Sequence, residues 1–101
     1  MVSGPLLQAR PDVAFRRLGD ECLLVPIRRR PDDKLAVFAL NRVAALVWSE
    51  LQRPSAPAAI IDLVIRRFEV SREVAARDVL AFIAELRTAE LVREANDAPV
   101  P

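Results

Sequence analysis

The sequence has no histidine and no tyrosine, and it has only two glycines and one cysteine in 101 residues. Without histidine, the chain lacks the side chain that most often acts as a general base or as an imidazole metal ligand. Gly4 and Gly19 are too far apart to form a glycine-rich phosphate loop. Cys22 has no cysteine to pair with, and the apolar run CLLV favours a buried small side chain over an activated thiolate. We therefore expect no catalytic activity, no bound metal and no cofactor.

Neither positive nor negative charge is in marked excess. The 15 Lys and Arg residues against 14 Asp and Glu residues leave a net charge of +1. Nucleic-acid and anionic-membrane binders usually carry a marked basic excess, so neither partner is expected. The run Arg28–Arg30 is followed by Asp32 and Asp33, a mixture that is more typical of a solvated loop than of a phosphate site.

Long apolar runs are also missing. No stretch approaches the roughly 18 apolar residues of a membrane span, and the first residues lack the basic and apolar regions of a signal peptide. The length of 101 residues and the apolar content of 52% suit one folded domain. Because a lone cysteine fits a reducing compartment, we expect a cytoplasmic protein.

The stretch LAVFALNRVAALVWSEL, residues 35–51, reads as a strand that runs directly into a helix. Leu35–Leu40 is apolar throughout and predicts a strand. Helical spacing begins after Asn41, whose side chain can accept hydrogen bonds from the first turn. Trp48 lies on the apolar stripe of this helix, where a core position is more common than a ligand platform.

The rest of the chain predicts two more strands and two more helices. Strands are expected at Val13–Leu18 and Cys22–Ile27, joined by a hairpin turn at Gly19. The first helix is expected to end near Gln52, the second to be capped by Ser55, and the third to begin after Ser71. Apolar stripes at helical spacing run along the second and third helices. Their residues are Ile60, Ile61, Val64, Ile65 and Phe68, followed by Ala75, Val79, Phe82, Ile83 and Leu86.

This order predicts an α+β fold, with a three-stranded antiparallel sheet followed by three helices. Residues 1–12 are expected to form a flexible arm, residues 13–93 the domain and residues 94–101 a flexible tail.

Three short motifs carry a resemblance to a known family. They are Leu40-Asn41 followed by Trp48, Phe68-x-Val70-Ser71, and Asp78-Val79-x-x-Phe82-x-x-x-Leu86. From about Phe15 to Arg93 the sequence resembles the PqqD family, named for coenzyme pyrroloquinoline quinone biosynthesis protein D. The family commonly has glycine where this chain has Ala44, in the loop at residues 52–54, and near Glu90, where it would end the last helix.

The resemblance implies a winged helix-turn-helix-like module that recognises precursor peptides of ribosomally made, post-translationally modified products. A leader peptide would add as a strand beside Leu35–Leu40, in a cleft formed with the third helix. A modifying enzyme, often a radical S-adenosylmethionine protein, would bind the same module. The residues expected to line the cleft are Lys34, Leu35, Ala36, Val37, Phe38 and Ala39 on the strand and Val74, Ala75, Asp78, Phe82 and Glu85 on the helix. The opposite flank of that helix, with Ala76, Leu80 and Arg87, remains open.

A DNA-binding winged helix is the alternative with the same topology. It would require a basic recognition helix. On the third helix, the arginines alternate with acidic residues, which favours peptide binding. The arginines are Arg72, Arg77 and Arg87, and the acids are Glu73, Asp78 and Glu85.

Overall fold

The computed structural model describes residues 5–26 and 38–95. Its elements in chain order are β1 (Leu7–Ala9), β2 (Val13–Leu18), β3 (Glu21–Pro26), β4 (Phe38–Leu40), α1 (Arg42–Glu50), α2 (Pro57–Phe68), α3 (Arg72–Thr88) and β5 (Val92–Glu94). Strands β2, β3 and β4 form a three-stranded antiparallel sheet, and the three helices follow it. The predicted fold class is confirmed. The predicted loop at residues 28–33 and the start of the strand at residues 35–37 lie outside the described residues.

Strands β2 and β3 form a hairpin whose turn is the pair Gly19 and Asp20. Leu18 lies opposite Glu21 on the two sides of the turn. Gly19 has a φ of +63°, and glycine reaches this left-handed region without steric cost at the first position of a tight hairpin turn. The hairpin predicted at Gly19 is therefore confirmed. Strand β3 lies at the centre of the sheet, between β2 and β4.

The core lies between this sheet and the three helices. Leu24 of the central strand is fully buried, as are Val47 and Leu51 at the end of the first helix. The predicted stripes of α2 and α3 supply the buried positions of those two helices, which are Ile60, Ile61, Val64, Ala75, Val79, Ile83 and Leu86. Ile65, Phe68 and Phe82 are only partly buried, because they lie at the borders of those stripes.

Side-chain caps fix the start of two helices. Asn41 Oδ1 accepts a hydrogen bond from the Ala44 N–H at 2.8 Å, and Ser71 Oγ accepts one from the Val74 N–H at 3.2 Å. Both caps were predicted from the sequence and are confirmed.

The predicted cap at Ser55 is wrong. The N-cap of α2 is Ala56, which makes no side-chain cap, and Pro57 follows in the first turn. Ser55 instead pairs through its backbone with Leu7, and its hydroxyl donates to the carbonyl of Glu50 at 2.7 Å. Because the backbone of Ser55 is held in this pairing, the helix starts further along the chain.

The end of α3 keeps the hydrogen bonds of a Schellman motif without glycine. The Glu90 N–H donates to the Arg87 carbonyl at 3.0 Å, and the Leu91 N–H donates to the Leu86 carbonyl at 2.9 Å. Glu90 has a φ of 61°, a left-handed conformation that is costly for a residue with a Cβ. The missing family glycine is thus replaced by a strained glutamate.

Strand β1 shows that the expectation of a loose arm is wrong at residues 7–9. Leu7–Ala9 pairs antiparallel with β5, where Leu7 lies opposite Glu94. The Leu7 N–H also donates to the Ser55 carbonyl at 2.8 Å, so the strand is held on two sides. With an exposed fraction of 2%, Leu7 belongs to the core. The expected tail likewise begins inside β5, which ends at Glu94.

Candidate functional site

Strand β4 forms one edge of the three-stranded sheet. Among residues 5–26 and 38–95, β3 is the only strand that pairs with β4. Edge strands carry backbone N–H and C=O groups that point away from the sheet, and these groups can pair with an added strand. Which groups of β4 point outward follows from the register of the ladder.

The hairpin turn sets that register. In an antiparallel ladder, opposed residues alternate between pairs that exchange both hydrogen bonds and pairs that exchange none. Leu18 and Glu21 flank the two-residue turn and form a bonded pair. The next residue of β3, Cys22, therefore turns its backbone groups away from β2, and so does Leu24.

Ala39 is consequently the outward-facing residue of β4. Cys22 lies opposite Leu40 and Leu24 lies opposite Phe38, so these pairs carry the bonds between β3 and β4. Ala39 stands between them, opposite Leu23 in the non-bonded pair. Its N–H and C=O point to the edge of the sheet that no other described strand covers.

The side chains of β4 alternate between the core and the outer face. Leu40 is buried, Phe38 is half-buried against the core, and Ala39 is exposed. The strand passes into α1 through Asn41 alone, and the Asn41 cap orients the helix. The edge is therefore fixed to the core through both neighbours of Ala39.

One flank of α3 carries most of the helix residues predicted for the cleft. Val74, Asp78, Phe82 and Glu85 follow one another at spacings of three or four residues, which places them on one side of the helix. Val74 and Phe82 are half-buried, whereas Asp78 and Glu85 are exposed. Ala75 lies in the core and has almost no surface to offer a ligand.

The opposite flank of α3 meets β5 at its C-terminal end. Arg87 Nη2 lies 4.0 Å from Glu94 Oε1 on β5, and α3 contacts β5. This pairing engages Arg87, whereas Leu80 on the same flank is exposed. Helix α1 contacts both β4 and α3 and so connects the edge to the helix. Residues 34–37 of the predicted cleft lie outside the described residues.

A second concave surface was not predicted from the sequence. It is a cavity of about 390 Å³ under the end of the sheet, and we name it the arginine pocket. Arg17, Arg42, Arg67 and Asp20 supply its charges, and Leu40 and Phe68 are among its apolar walls. The three arginines come from β2, α1 and α2, which are far apart in the sequence. No local sequence pattern could therefore predict that they line one pocket.

The described ranges contain neither a metal-binding cluster nor a membrane-spanning helix. Within residues 5–26 and 38–95, no three His, Cys, Asp or Glu side chains come together as a possible metal-binding group. No helix in the same ranges has the length and apolar character needed to cross a membrane.

Comparison with known proteins identifies the family. Residues 21–92 match the family model of coenzyme PQQ synthesis protein D (PqqD), from the first residue of β3 to the first residue of β5. No curated protein matches the chain.

Two solved structures have a similar fold. One is TbiB1 in complex with the TbiA(beta) leader peptide, with 24% identity, a TM-score of 0.68 and coverage of 85% of this chain and 94% of that chain. The other is lasso peptide synthetase B1 complexed with the leader peptide, with 23% identity, a TM-score of 0.68 and coverage of 86% and 96%. Since the family model spans well over half of the sequence, the chain belongs to the PqqD family.

Proposed function

We propose that this domain captures the leader segment of a ribosomally made precursor peptide and presents it to a modifying enzyme, without performing chemistry itself. The observation that carries the proposal is the edge at β4, where Ala39 directs its N–H and C=O away from the sheet. Family membership and the leader-peptide complexes formed by two proteins of the same fold support it.

Strand addition suits this edge physically. In this binding mode the peptide backbone supplies much of the affinity, and pockets for alternate side chains supply the specificity. Ala39 is small and exposed, so it offers its backbone groups with little steric hindrance. The adjacent Phe38 and Leu40 anchor the strand in the core, so little ordering of the edge is needed on binding.

The flank of α3 with Val74, Asp78, Phe82 and Glu85 is the proposed second wall. The half-buried Val74 and Phe82 supply partly exposed apolar surface. The other flank is engaged by β5 through Arg87, which favours the Phe82 side. Lys34, Leu35, Ala36 and Val37 remain proposed contacts on the strand, whereas the buried Ala75 serves as support.

DNA binding receives no support from α3. Each arginine of this helix has a carboxylate partner. Arg72 lies 2.6 Å from Asp62, Arg77 lies 3.4 Å from Asp78, and Arg87 pairs with Glu94. Because its arginines are already paired with carboxylates, this helix presents no uniformly positive surface that could bind a phosphate backbone.

Amide chemical-shift mapping with a leader peptide from the same operon tests the proposal. We expect saturable shifts at Phe38–Leu40 and along Val74–Glu85, with the Ala39 amide among the most affected because it would gain a hydrogen bond. The matched control is the same peptide with N-methyl groups at alternate residues, which cannot donate to the edge. If Phe38–Leu40 and Val74–Glu85 stayed silent while other regions shifted, the strand-addition model would be excluded.

A further inference from the structure

Among the described residues, the arginines of the pocket have no ion-pair partner. The ion pairs found within the described residues involve Arg10, Arg53, Arg72, Arg77 and Arg87, and none of them lines the pocket. Asp20 is the one carboxylate of the pocket wall against three guanidinium groups. The pocket therefore attracts anions.

The position of Arg42 is the least expected of the three. It is the first residue of α1, and the first turn of this helix contains no acidic residue. A cation at a helix N-terminus opposes the helix dipole, which favours an anion at that end. Arg67, by contrast, lies in the last turn of α2, where a cation is favourable. An anion in the pocket would meet both guanidinium groups and relieve the conflict at Arg42.

One exposed aromatic side chain lies beside the pocket on β2. Phe15 is 45% exposed. Phe15 lies two residues before Arg17, so both side chains point to the same face of the strand. Aromatic and arginine side chains together are enriched in protein interfaces and among the residues that dominate binding energy.

We propose that the arginine pocket, with Phe15 beside it on β2, binds a protein partner through a segment that combines carboxylates with an apolar side chain. The pocket takes only Leu40 from β4, whereas the proposed leader edge uses the outward backbone groups of Ala39. The inference does not depend on leader capture.

A protein segment fits this surface better than a nucleic acid does. The exposed Phe15 beside the pocket offers no partner to a sugar–phosphate backbone. An acidic segment with an apolar anchor satisfies both the arginines and Phe15.

The test uses the full chain and two acetylated hexapeptides, Glu-Leu-Glu-Phe-Glu-Glu and its counterpart with lysine at each glutamate. Amide shifts are followed during titration of wild type, of Arg42→Gln/Arg67→Gln, and of Arg53→Gln/Arg77→Gln. The second pair is the matched control, since it removes the same charge from exposed arginines outside the pocket. Phe15→Ser tests the apolar surface beside the pocket, because Phe15 is exposed and lies outside the buried core.

We expect saturable shifts at Arg17–Cys22, Asn41–Leu46 and Arg67–Phe68 with the acidic peptide alone. Affinity should fall roughly 3- to 30-fold in the pocket variant, as for loss of two exposed charge pairs, and less than about 2-fold in the control. Phe15→Ser should weaken binding as well. Four results would each overturn the proposal. The two double variants could weaken binding equally, or the shifts could be confined to β4 and α3. The lysine peptide could give an equal response, or a DNA duplex could bind more tightly through the same arginines.

Discussion

Trp48 is the aromatic residue that the core encloses most fully. Only 3% of its surface is exposed, and it shares the buried face of α1 with Val47 and Leu51. The sequence indicated that Trp48 is buried, because it lies four residues after Ala44 and α-helical residues three and four apart share a face. Phe82 sits at the border of its stripe, so the same reasoning predicted more burial than it has.

Replacing Trp48 by alanine should lower the free energy of unfolding by about 3–5 kcal/mol, through lost burial and the cavity left behind. The urea midpoint with an unchanged slope measures this loss. Leu80→Ala is the control, because Leu80 is 50% exposed on α3 and should change stability by less than about 1 kcal/mol. An unchanged midpoint in Trp48→Ala would show that the indole does not support the core.

At the scale of single elements, the end of α3 is a strained feature that can be relieved. Glu90 holds a left-handed φ at the position where glycine commonly ends a helix. Glu90→Gly should stabilise the protein by about 0.5–1 kcal/mol, since the cost of the left-handed conformation outweighs the entropy of glycine. Thermal unfolding would show this as a rise of roughly 2–8 °C.

Glu90→Ala is the control for this prediction. It removes the glutamate side chain but keeps a Cβ, so it should bring no comparable gain. If alanine stabilised the protein as much as glycine, the gain would come from the charge and not from the backbone.

The edge of β4 gives a second prediction at this scale. Ala39→Pro removes the outward N–H but leaves the hydrogen bonds of Phe38 and Leu40 to β3. We therefore expect the affinity for the leader peptide to fall at least about 5-fold, which corresponds to the loss of roughly one hydrogen bond. Ala39→Val keeps the N–H and should bind within about 2-fold of wild type. Calorimetric titration measures both, with circular dichroism to verify folding. Equal affinity of the two variants would mean that this amide is not used.

The sequence could predict these elements better than the site between them. The apolar stripes of the helices, Gly19 and the capping residues Asn41 and Ser71 are local signals, and each marked its element correctly. The outward direction of Ala39 depends on the pairing of β3 with two neighbours, which follows only from the full register. The arginine pocket likewise depends on the packing of three separate elements.

At the scale of the whole molecule, β1 and β5 join the two ends of the described chain. Short range patterns could not reveal this pair, because Leu7 and Glu94 are far apart in sequence and each strand has three residues. The N–H of Ala95 donates to the Leu6 carbonyl at 2.8 Å, and the N–H of Ala9 donates to the Leu51 carbonyl at 2.6 Å. The pair therefore ties both ends to the start of the α1–α2 connection.

Leu7→Ala should destabilise the protein by about 2–5 kcal/mol, because this side chain is enclosed by the core. Its neighbour Leu6 is 38% exposed, and Leu6→Ala should cost less than about 1 kcal/mol. Urea unfolding of the two variants side by side makes the comparison. Equal midpoints would mean that β1 contributes little to stability.

The charge balance gives the last prediction at this scale. With a net charge of +1 and paired arginines on α3, the protein should show no tight association with duplex DNA at about 0.15 M salt. Fluorescence anisotropy of a labelled duplex measures this. A tight complex that dissociates steeply as salt is raised would favour the DNA-binding alternative.

The pairing of β1 with β5 also determines how the domain can be attached to other proteins. Leu7 and Glu94 are cross-strand partners, so the chain enters and leaves the fold at neighbouring points. A domain with adjacent entry and exit can be inserted into a surface loop of an enzyme, or circularly permuted, with only a short connection. Such a graft occupies neither edge of the β2–β3–β4 sheet, since neither edge strand belongs to the sheet formed by β1 and β5.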